Sequence, residues 1–199
     1  MKMSIVLTIG IIFILVIGIV ILNQMRTSNI TIEDLVRIDY QDTFTQESDD
    51  YLVYFWQEGC VYCEEVEPNV LEFIQNTDSP FFLVDMQEPN NQSAWYDWES
   101  HHEEHDIKIG KVVDGEEQLN DEIPLEKYTE NTDIRWEIEV TEYDEIIVTH
   151  NTPFANSEPA TADAIEITGT PIIIHVKDGE VVTYANGSEQ VKAMLEENK

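Results

Sequence analysis

Lysine and arginine are scarce in this chain. Its 199 residues hold 10 of them against 41 aspartates and glutamates, a formal charge of −31. Nucleic acids and anionic lipid surfaces are gripped through lysine and arginine on phosphate, so the deficit argues against both as ligands. The simplest reading of the acidity is solubility in a salty medium, and a sharper one is a surface that attracts cationic client proteins. Cysteine is scarcer still. Cys60 and Cys63 are the only two. With no second pair, a four-cysteine zinc site is excluded. The chain carries no internal repeat.

Only one stretch is apolar over a long run, and it lies at the start. "IVLTIGIIFILVIGIVIL", Ile5 to Leu22, has no charge. Eighteen helical residues cover ~27 Å at ~1.5 Å each, enough to cross a bilayer core. A buried core helix would show a polar face, and this run has none. A cleaved signal peptide would be followed by a small-x-small site, whereas "NQMRTSN" follows here. No cysteine near Leu22 offers a lipid attachment point. The run reads as an uncleaved signal anchor. Residues 1–4 form a cytoplasmic tail, 5–22 a transmembrane helix, 23–30 a linker and 31–199 a domain on the extracytoplasmic side. Lys2 before the span and Arg26 after it give a weak positive-inside bias. Two cysteines in an exported domain fit an oxidising compartment.

Beyond the linker the pattern is α/β. "TIEDLVRI", with Thr31 and Asp34 three apart, predicts a helix opened by a capping box. "DDYLVYFW" reads as a strand, then "CEEVEPNVLEFIQN" as a helix with Val66, Val70, Leu71 and Ile74 on one face and Pro68 inside. "PFFLVDM" is a second strand. From about 89 to 162 the pattern loosens into a segment rich in acids, asparagine and tryptophan. It includes a hairpin from "IRWEIEV" and "EIIVTHN" around "TEYDE". Trp95, Trp98, Trp136 and Phe154 indicate that this segment folds. "AIEITGTPIIIHVKDGEVVTYANG" then gives two strands joined by an Asp178-Gly179 turn, with Pro171 opening the first. "SEQVKAMLEENK" is a closing amphipathic helix with Ser188 as its expected cap.

The chemistry concentrates at "QEGCVYCEEVEP". A strand ends at Trp56, and Cys60 opens a helix a few residues later. Backbone N–H groups and the positive helix end favour a thiolate there. The two-residue gap sets Cys63 one turn along, where it can resolve a mixed disulfide formed on Cys60. Glu64, Glu65 and Glu67 oppose the helix end electrostatically, so a strongly oxidising thiolate is not expected. Glu58 is a candidate exposed proton acceptor near the pair.

Other features read more plainly. A purely structural disulfide across so small a loop would constrain the unfolded chain little. "HHEEH" puts His101 and His105 four apart, but His102 stands where a zinc protease carries glutamate, and histidines amid acids are expected to be solvated. No metal site is expected. His150 and His175 read as structural. "DGEEQLNDE" lacks the order of a calcium loop.

"LVYFWQEGCVYC" resembles the active-site segment of thioredoxin-fold thiol–disulfide oxidoreductases, most of all membrane-anchored, extracytoplasmic thioredoxin-like proteins of Gram-positive bacteria. Pro68 stands five residues after the second cysteine, like the kinking proline of that family's helix. "ITGTPIIIHVKDGEVV" resembles the segment with its cis-proline, and Gly187 falls where the family has a glycine before its final helix. The resemblance covers roughly residues 31–88 and 163–199. It implies a thioredoxin fold, a central mixed sheet flanked by helices, with a large insertion at about 89–162 before the cis-Pro strand. It implies Cys60 as nucleophile and Cys63 as resolving thiol, with Trp56, Thr170 and Pro171 shaping the client site. No bound cofactor is needed. Partners would be the thiols or disulfides of exported proteins, and a membrane redox partner or small thiols would carry electrons, a role in cell redox homeostasis. A different class stays open, an accessory or chaperone-like module of a bacteriocin-export-like system. Three departures stand out. Tyr54 occupies the place of the family's buried aspartate, Gly59 that of the tryptophan before the first cysteine, and Val61-Tyr62 that of Gly-Pro. Without the aspartate, efficient thioredoxin-type reduction is in doubt, and disulfide formation or isomerisation is slightly favoured. The insertion is either a decorative cap or a lid beside Pro171.

Overall fold

The computed structural model describes residues 30–120 and 123–199. The tail, the span at 5–22 and residues 23–29 of the linker lie outside them. Among the described residues, no helix is long and apolar enough to cross a membrane.

Three strands carry the first half of the core: β1 (Val36–Arg37), β2 (Asp50–Trp56) and β3 (Phe81–Asp85), with α1 (Val61–Asn76) between the last two. Near the C terminus come β8 (Ile172–Lys177), β9 (Glu180–Asn186) and α4 (Ser188–Glu197). The sheet order is β1-β3-β2-β8-β9. β1 and β2 flank β3 in parallel, and β8 and β9 run antiparallel. β2 sits at the centre, covered on both faces, which explains its unbroken apolar run. Its side chains still alternate. Leu52 and Tyr54 join α1 and α4 in one core with Val66, Val70, Phe73, Ile173, Val191 and Leu195. Tyr51, Val53 and Phe55 join the opposite core with Val84, Ile172, Ile174 and Ile167. Each large apolar side chain buried here contributes about 1.5–3 kcal/mol. This is a mixed α/β, thioredoxin-like fold.

The expected insertion divides in two. Its ends, Pro89–Ala94 and Ala162–Ala164, are short 3-10 turns set near the second face of the main sheet. Asn91 is buried there, accepting from the Tyr40 N–H at 2.8 Å and donating to the Asp85 carbonyl at 2.8 Å. Between the ends lie α2 (Trp98–His105), β4 (Ile107–Val113), β5 (Glu116–Leu119), α3 (Glu126–Thr129), β6 (Trp136–Val140) and β7 (Glu145–His150). The strands form a second, antiparallel sheet of order β5-β4-β7-β6. Its core is Ile109, Tyr128, Ile146 and Val148, with Trp136 against it. The predicted hairpin is β6–β7. A second hairpin, β4–β5, was hidden in "KVVDGEEQL". Asp114 and Gly115 take φ of 56° and 83° there, as Asp178 and Gly179 take 52° and 80° in the β8–β9 turn. Both turns need two left-handed residues, which Asp-Gly supplies.

Three local expectations change. "TIEDLVRI" gives one 3-10 turn, Ile32–Asp34, not a helix. The Thr31 N–H and hydroxyl both donate to the Asp34 carboxylate at 2.9 Å, and the chain then leaves to pair Val36 and Arg37 with the free edge of β3. Edge pairing satisfies backbone groups that a short helix end would leave open. Ser188 is the first residue of α4 and not its cap, a place taken by Gly187 at φ 83°. Phe73, absent from the expected helix face, is fully buried.

Gly110 sits at the bulge in β4 beside β5. A Cβ there would meet the Gln118 carbonyl oxygen at 2.5 Å and the Leu119 Cα at 2.9 Å, both backbone. Gly110→Ala is therefore expected to cost about 1–3 kcal/mol in the second sheet. Hydrogen exchange of the β5 amides should speed up accordingly, and unchanged protection would refute the close approach.

Candidate active site

β2 delivers the chain to Trp56, and a turn through Gln57, Glu58 and Gly59 leads into α1. Gly59 has φ 75° with nothing within 4 Å of where a Cβ would lie, so backbone conformation, not space, selects glycine. Cys60 is the helix N-cap. Its sulfur accepts the Cys63 N–H at 3.1 Å, a task usually given to a serine or aspartate oxygen. That bond places the sulfur at the positive end of α1.

Thr170 reaches the same sulfur from 110 residues away. Its hydroxyl donates to Cys60 Sγ at 3.3 Å, and the Cys60 thiol lies 3.3 Å from its carbonyl oxygen as a donor. The Thr170-Pro171 peptide is cis. The segment ahead of it is pinned on several sides. Ile167 N–H donates to the Ala94 carbonyl at 2.8 Å and Tyr96 N–H to the Ile167 carbonyl at 3.0 Å. Trp98 Nε1 donates to the Thr168 carbonyl at 3.1 Å, and Asn186 Nδ2 to the Thr168 hydroxyl at 3.0 Å.

Both cysteines are free thiols. Cys60 is 8 % exposed and Cys63 0 %, so an incoming sulfur meets Cys60 first. The residues between them, Val61 and Tyr62, stand out at 73 % and 61 % exposed, an apolar rim beside the thiol. Burial pushes the Cys63 thiol up, and its hydrogen bonding to Cys60 adds to the rise. At neutral pH Cys63 therefore holds its proton.

Tyr54, facing Cys63, is fully buried, and among the described residues its hydroxyl has no hydrogen-bond partner. Burial, and then the neighbouring Cys63, push its ionisation far above the ordinary range. It can donate a hydrogen bond to a Cys63 thiolate but does not accept that thiol's proton at neutral pH. This is the chemical meaning of tyrosine where the resemblance places aspartate.

The structure brings Cys60, Cys63, Thr170 and Pro171 together. Trp56 and Glu58 lie to one side, in a groove they share with Arg37, Glu67 and Asp85. The Arg37 guanidinium is 5.7 Å from the Trp56 ring centre and bonds Asp85 at 2.6 Å. Neither Trp56 nor the Glu58 side chain makes a hydrogen bond to a sulfur. Of the three glutamates after Cys63, Glu65 is paired with Lys192 at 2.5 Å, which with Ser188 holds its carboxyl below the usual range. Sequence reasoning missed the Thr170 hydroxyl contact and the capping role of the sulfur. It also misread His101, expected to be solvated, which is 5 % exposed and bonded to His150. The alternating acids around "HHEEH" masked a helix face turned inward. His175 bonds Asp50 at 2.7 Å. Among the described residues, no three His, Cys, Asp or Glu side chains are set to hold a metal ion.

No family model matches the chain, and no curated protein matches it. Solved structures that resemble it do so at low identity. One comes from work on the thiol resolving mechanism of yeast mitochondrial 1-Cys peroxiredoxin via glutathione/thioredoxin systems, at 11 % identity and a TM-score of 0.41 over 85 % of this chain and 96 % of that one. Chlamydomonas reinhardtii thioredoxin f2 gives 12 % and 0.38 over 83 % and 96 %. A mutant thioredoxin from Halobacterium salinarum gives 15 % and 0.37 over 81 % and 88 %. The fold assignment rests on the sheet order and the placing of the cysteine pair.

Two outcomes follow from the burial pattern. Tyr54→Phe removes an unpartnered buried hydroxyl, a group that costs roughly 1–3 kcal/mol. A rise in melting temperature of about 2–4 °C for each kcal/mol relieved is expected by calorimetry, and a fall would show that Cys63 holds the hydroxyl. Iodoacetamide should label Cys60 well before Cys63 in the native reduced protein. Equal labelling, read by mass spectrometry of the tryptic peptides, would contradict the assignment of nucleophile and resolving thiol.

Proposed function

We propose that this chain is a membrane-anchored thiol–disulfide oxidoreductase acting on exported proteins outside the cytoplasm. The observation that carries the chemistry is the Cys60 sulfur, held at a helix N terminus by the Cys63 N–H and the Thr170 hydroxyl. The apolar run at 5–22 supports the anchor, and two cysteines in an acidic domain suit an oxidising compartment.

The exchange runs in two displacements. The Cys60 thiolate attacks one sulfur of a client disulfide, forming a Cys60–client bond and expelling the other client sulfur as a thiolate. Cys63 then loses its proton and attacks Cys60 Sγ. The Cys60–Cys63 disulfide forms, and the second client thiolate leaves. Two electrons pass to the client, and the reverse sequence oxidises a client dithiol. The exposed Val61-Tyr62 rim and the Thr170-Pro171 segment would receive an extended client chain, with Trp56 at the flank and Glu58 as proton acceptor.

The Cys63 N–H and the Thr170 hydroxyl donate to Cys60 Sγ while the Thr170 carbonyl oxygen faces it, so the sulfur is fixed in place from several sides. The lack of a buried carboxylate at Tyr54 favours the oxidising direction, since the buried Cys63 then has only the exposed Glu58 proposed to take its proton in reduction. A second reading draws on the inserted sheet, which has its own core and is larger than thiol exchange requires. In it the chain is an accessory binding module of a secretion system, and the cysteines are secondary.

A redox titration of the full-length protein in glutathione buffers decides between them. The oxidoreductase reading expects reversible Cys60–Cys63 interconversion between about −270 mV, as in thioredoxin, and about −120 mV, as in DsbA. A pair locked in one state across that range would overturn it. Cys60→Ser should abolish exchange with a model disulfide. Cys63→Ser should accumulate mixed disulfides with clients, detectable on non-reducing gels. If partner binding survives with both cysteines changed to alanine, the module reading gains.

A further inference from the structure

Three histidines cluster where α2 packs on β7. The ring centres of His101, His105 and His150 are 4.8, 4.8 and 5.4 Å apart. His101 and His150 are 5 % and 3 % exposed, with Phe154 against all three rings and Trp136 4.6 Å from His150.

The hydrogen bonds fix the protons. His101 Nε2 is 3.0 Å from the His150 carbonyl oxygen, which only accepts, so Nε2 carries the hydrogen. The same Nε2 is 2.9 Å from His150 Nδ1, which must then present its lone pair. On the other side of the ring, His101 Nδ1 accepts from the Tyr96 hydroxyl at 2.8 Å, and that oxygen accepts the Phe154 N–H at 3.1 Å. The set requires His150 Nδ1 to be unprotonated, since a proton there would set N–H against N–H at 2.9 Å. The Tyr96 hydroxyl can exchange roles with His101 Nδ1, so the contact that a proton breaks is the one at His150.

The charged groups facing the pair do not reverse this. On the helix side, Asp106 Oδ1 already accepts the His150 N–H at 2.8 Å and His102 Nδ1 at 3.1 Å. Glu104 is 4.0 Å from His105 Nε2 but 78 % exposed, so water screens it. On β6, Glu137 is engaged with Asn151 Nδ2 at 3.3 Å. On β4, Lys108 is paired with Glu145. Burial, then the proximity of His101 and His105, hold His150 below the usual imidazole range.

The cluster is wired to the loop that carries Thr170. Trp98, at the start of α2, stacks on His102 at 5.4 Å and meets His101 edge-on at 5.2 Å, while its Nε1 holds the Thr168 carbonyl. We propose that His101 and His150 form a proton-operated latch that fastens the inserted sheet to the loop ahead of Pro171, closed while His150 is neutral and opened when acid puts a proton on its Nδ1. The sign follows from the bonding. Above the ordinary imidazole range neither closed nor open form binds a proton, and the latch holds in full. As pH falls through about 6.5, the open form takes protons that the closed form refuses, so closure weakens toward the depressed native value. Opening slackens the Thr168–Thr170 loop and with it the Thr170 contacts on Cys60.

Hydrogen exchange on the full-length protein, corrected for intrinsic rates, tests this without reading either cysteine, so its failure would leave the proposed exchange chemistry untouched. Between about pH 7.5 and pH 5, protection of the Tyr96 and Ile167 amides should fall by about tenfold or more relative to Ile173 in the central sheet. His150→Asn keeps an acceptor for His101 and removes the titrating ring, and should flatten that dependence. His175→Asn, outside the latch, should leave it intact. A constant ratio in the wild-type protein, or an undiminished fall in His150→Asn, would overturn the latch. Should His150→Asn fail to fold, the wild-type ratio alone still decides.

Discussion

The contact between Cys60 and Thr170 is the constraint from which the rest of the molecule can be read. One sulfur caps α1, accepts a hydroxyl from a residue 110 positions later and faces that residue's carbonyl. For those groups to meet, β2 and β8 must be neighbours, since each delivers one side of the contact. The register does this by setting Phe55 opposite Ile172 and Tyr54 opposite Ile173. The two apolar cores on either face of β2 are what make that pairing stable.

Charge acts at two scales. Overall, 41 acids stand against 10 bases, an excess of negative charge that repels anions. Locally, several of the described cations are paired with acids. Arg37 is on Asp85, Lys177 on Asp50 and Lys192 on Glu65. Exposed pairs of this kind contribute little each, about 0–1 kcal/mol. The chemistry at the thiols is instead set by burial. Cys63 and Tyr54 lie where charge is disfavoured, and Cys60 is the sulfur that two donors and a carbonyl oxygen hold in place.

The insertion, which looked like one loose segment, is two devices. Its ends close the second face of the main sheet with 3-10 turns in place of a helical layer, and its middle is a second sheet. The two meet at α2, through Trp98 on the Thr168 carbonyl and His101 on His150. The histidine pair was illegible in the sequence because its members are 49 residues apart and "HHEEH" has the composition of a solvated surface. The β4–β5 hairpin was legible in its Asp-Gly pair, although acids on both sides drew attention to calcium chemistry instead.

What the sequence determined by itself was local. Alternation and apolar runs placed β2, α1, β3, β8 and β9, because strand and helix periods are properties of a single segment. The two-residue spacing placed both cysteines at one helix end for the same reason. The tertiary structure decided everything that depends on two distant segments meeting: the Thr170 hydroxyl on Cys60, the Tyr54 hydroxyl buried beside Cys63, the change of "TIEDLVRI" from helix to edge strand, and the contact of His101 with His150. Each is settled by burial and by the partner a polar group finds there, quantities that exist only once separate parts of the chain have packed together.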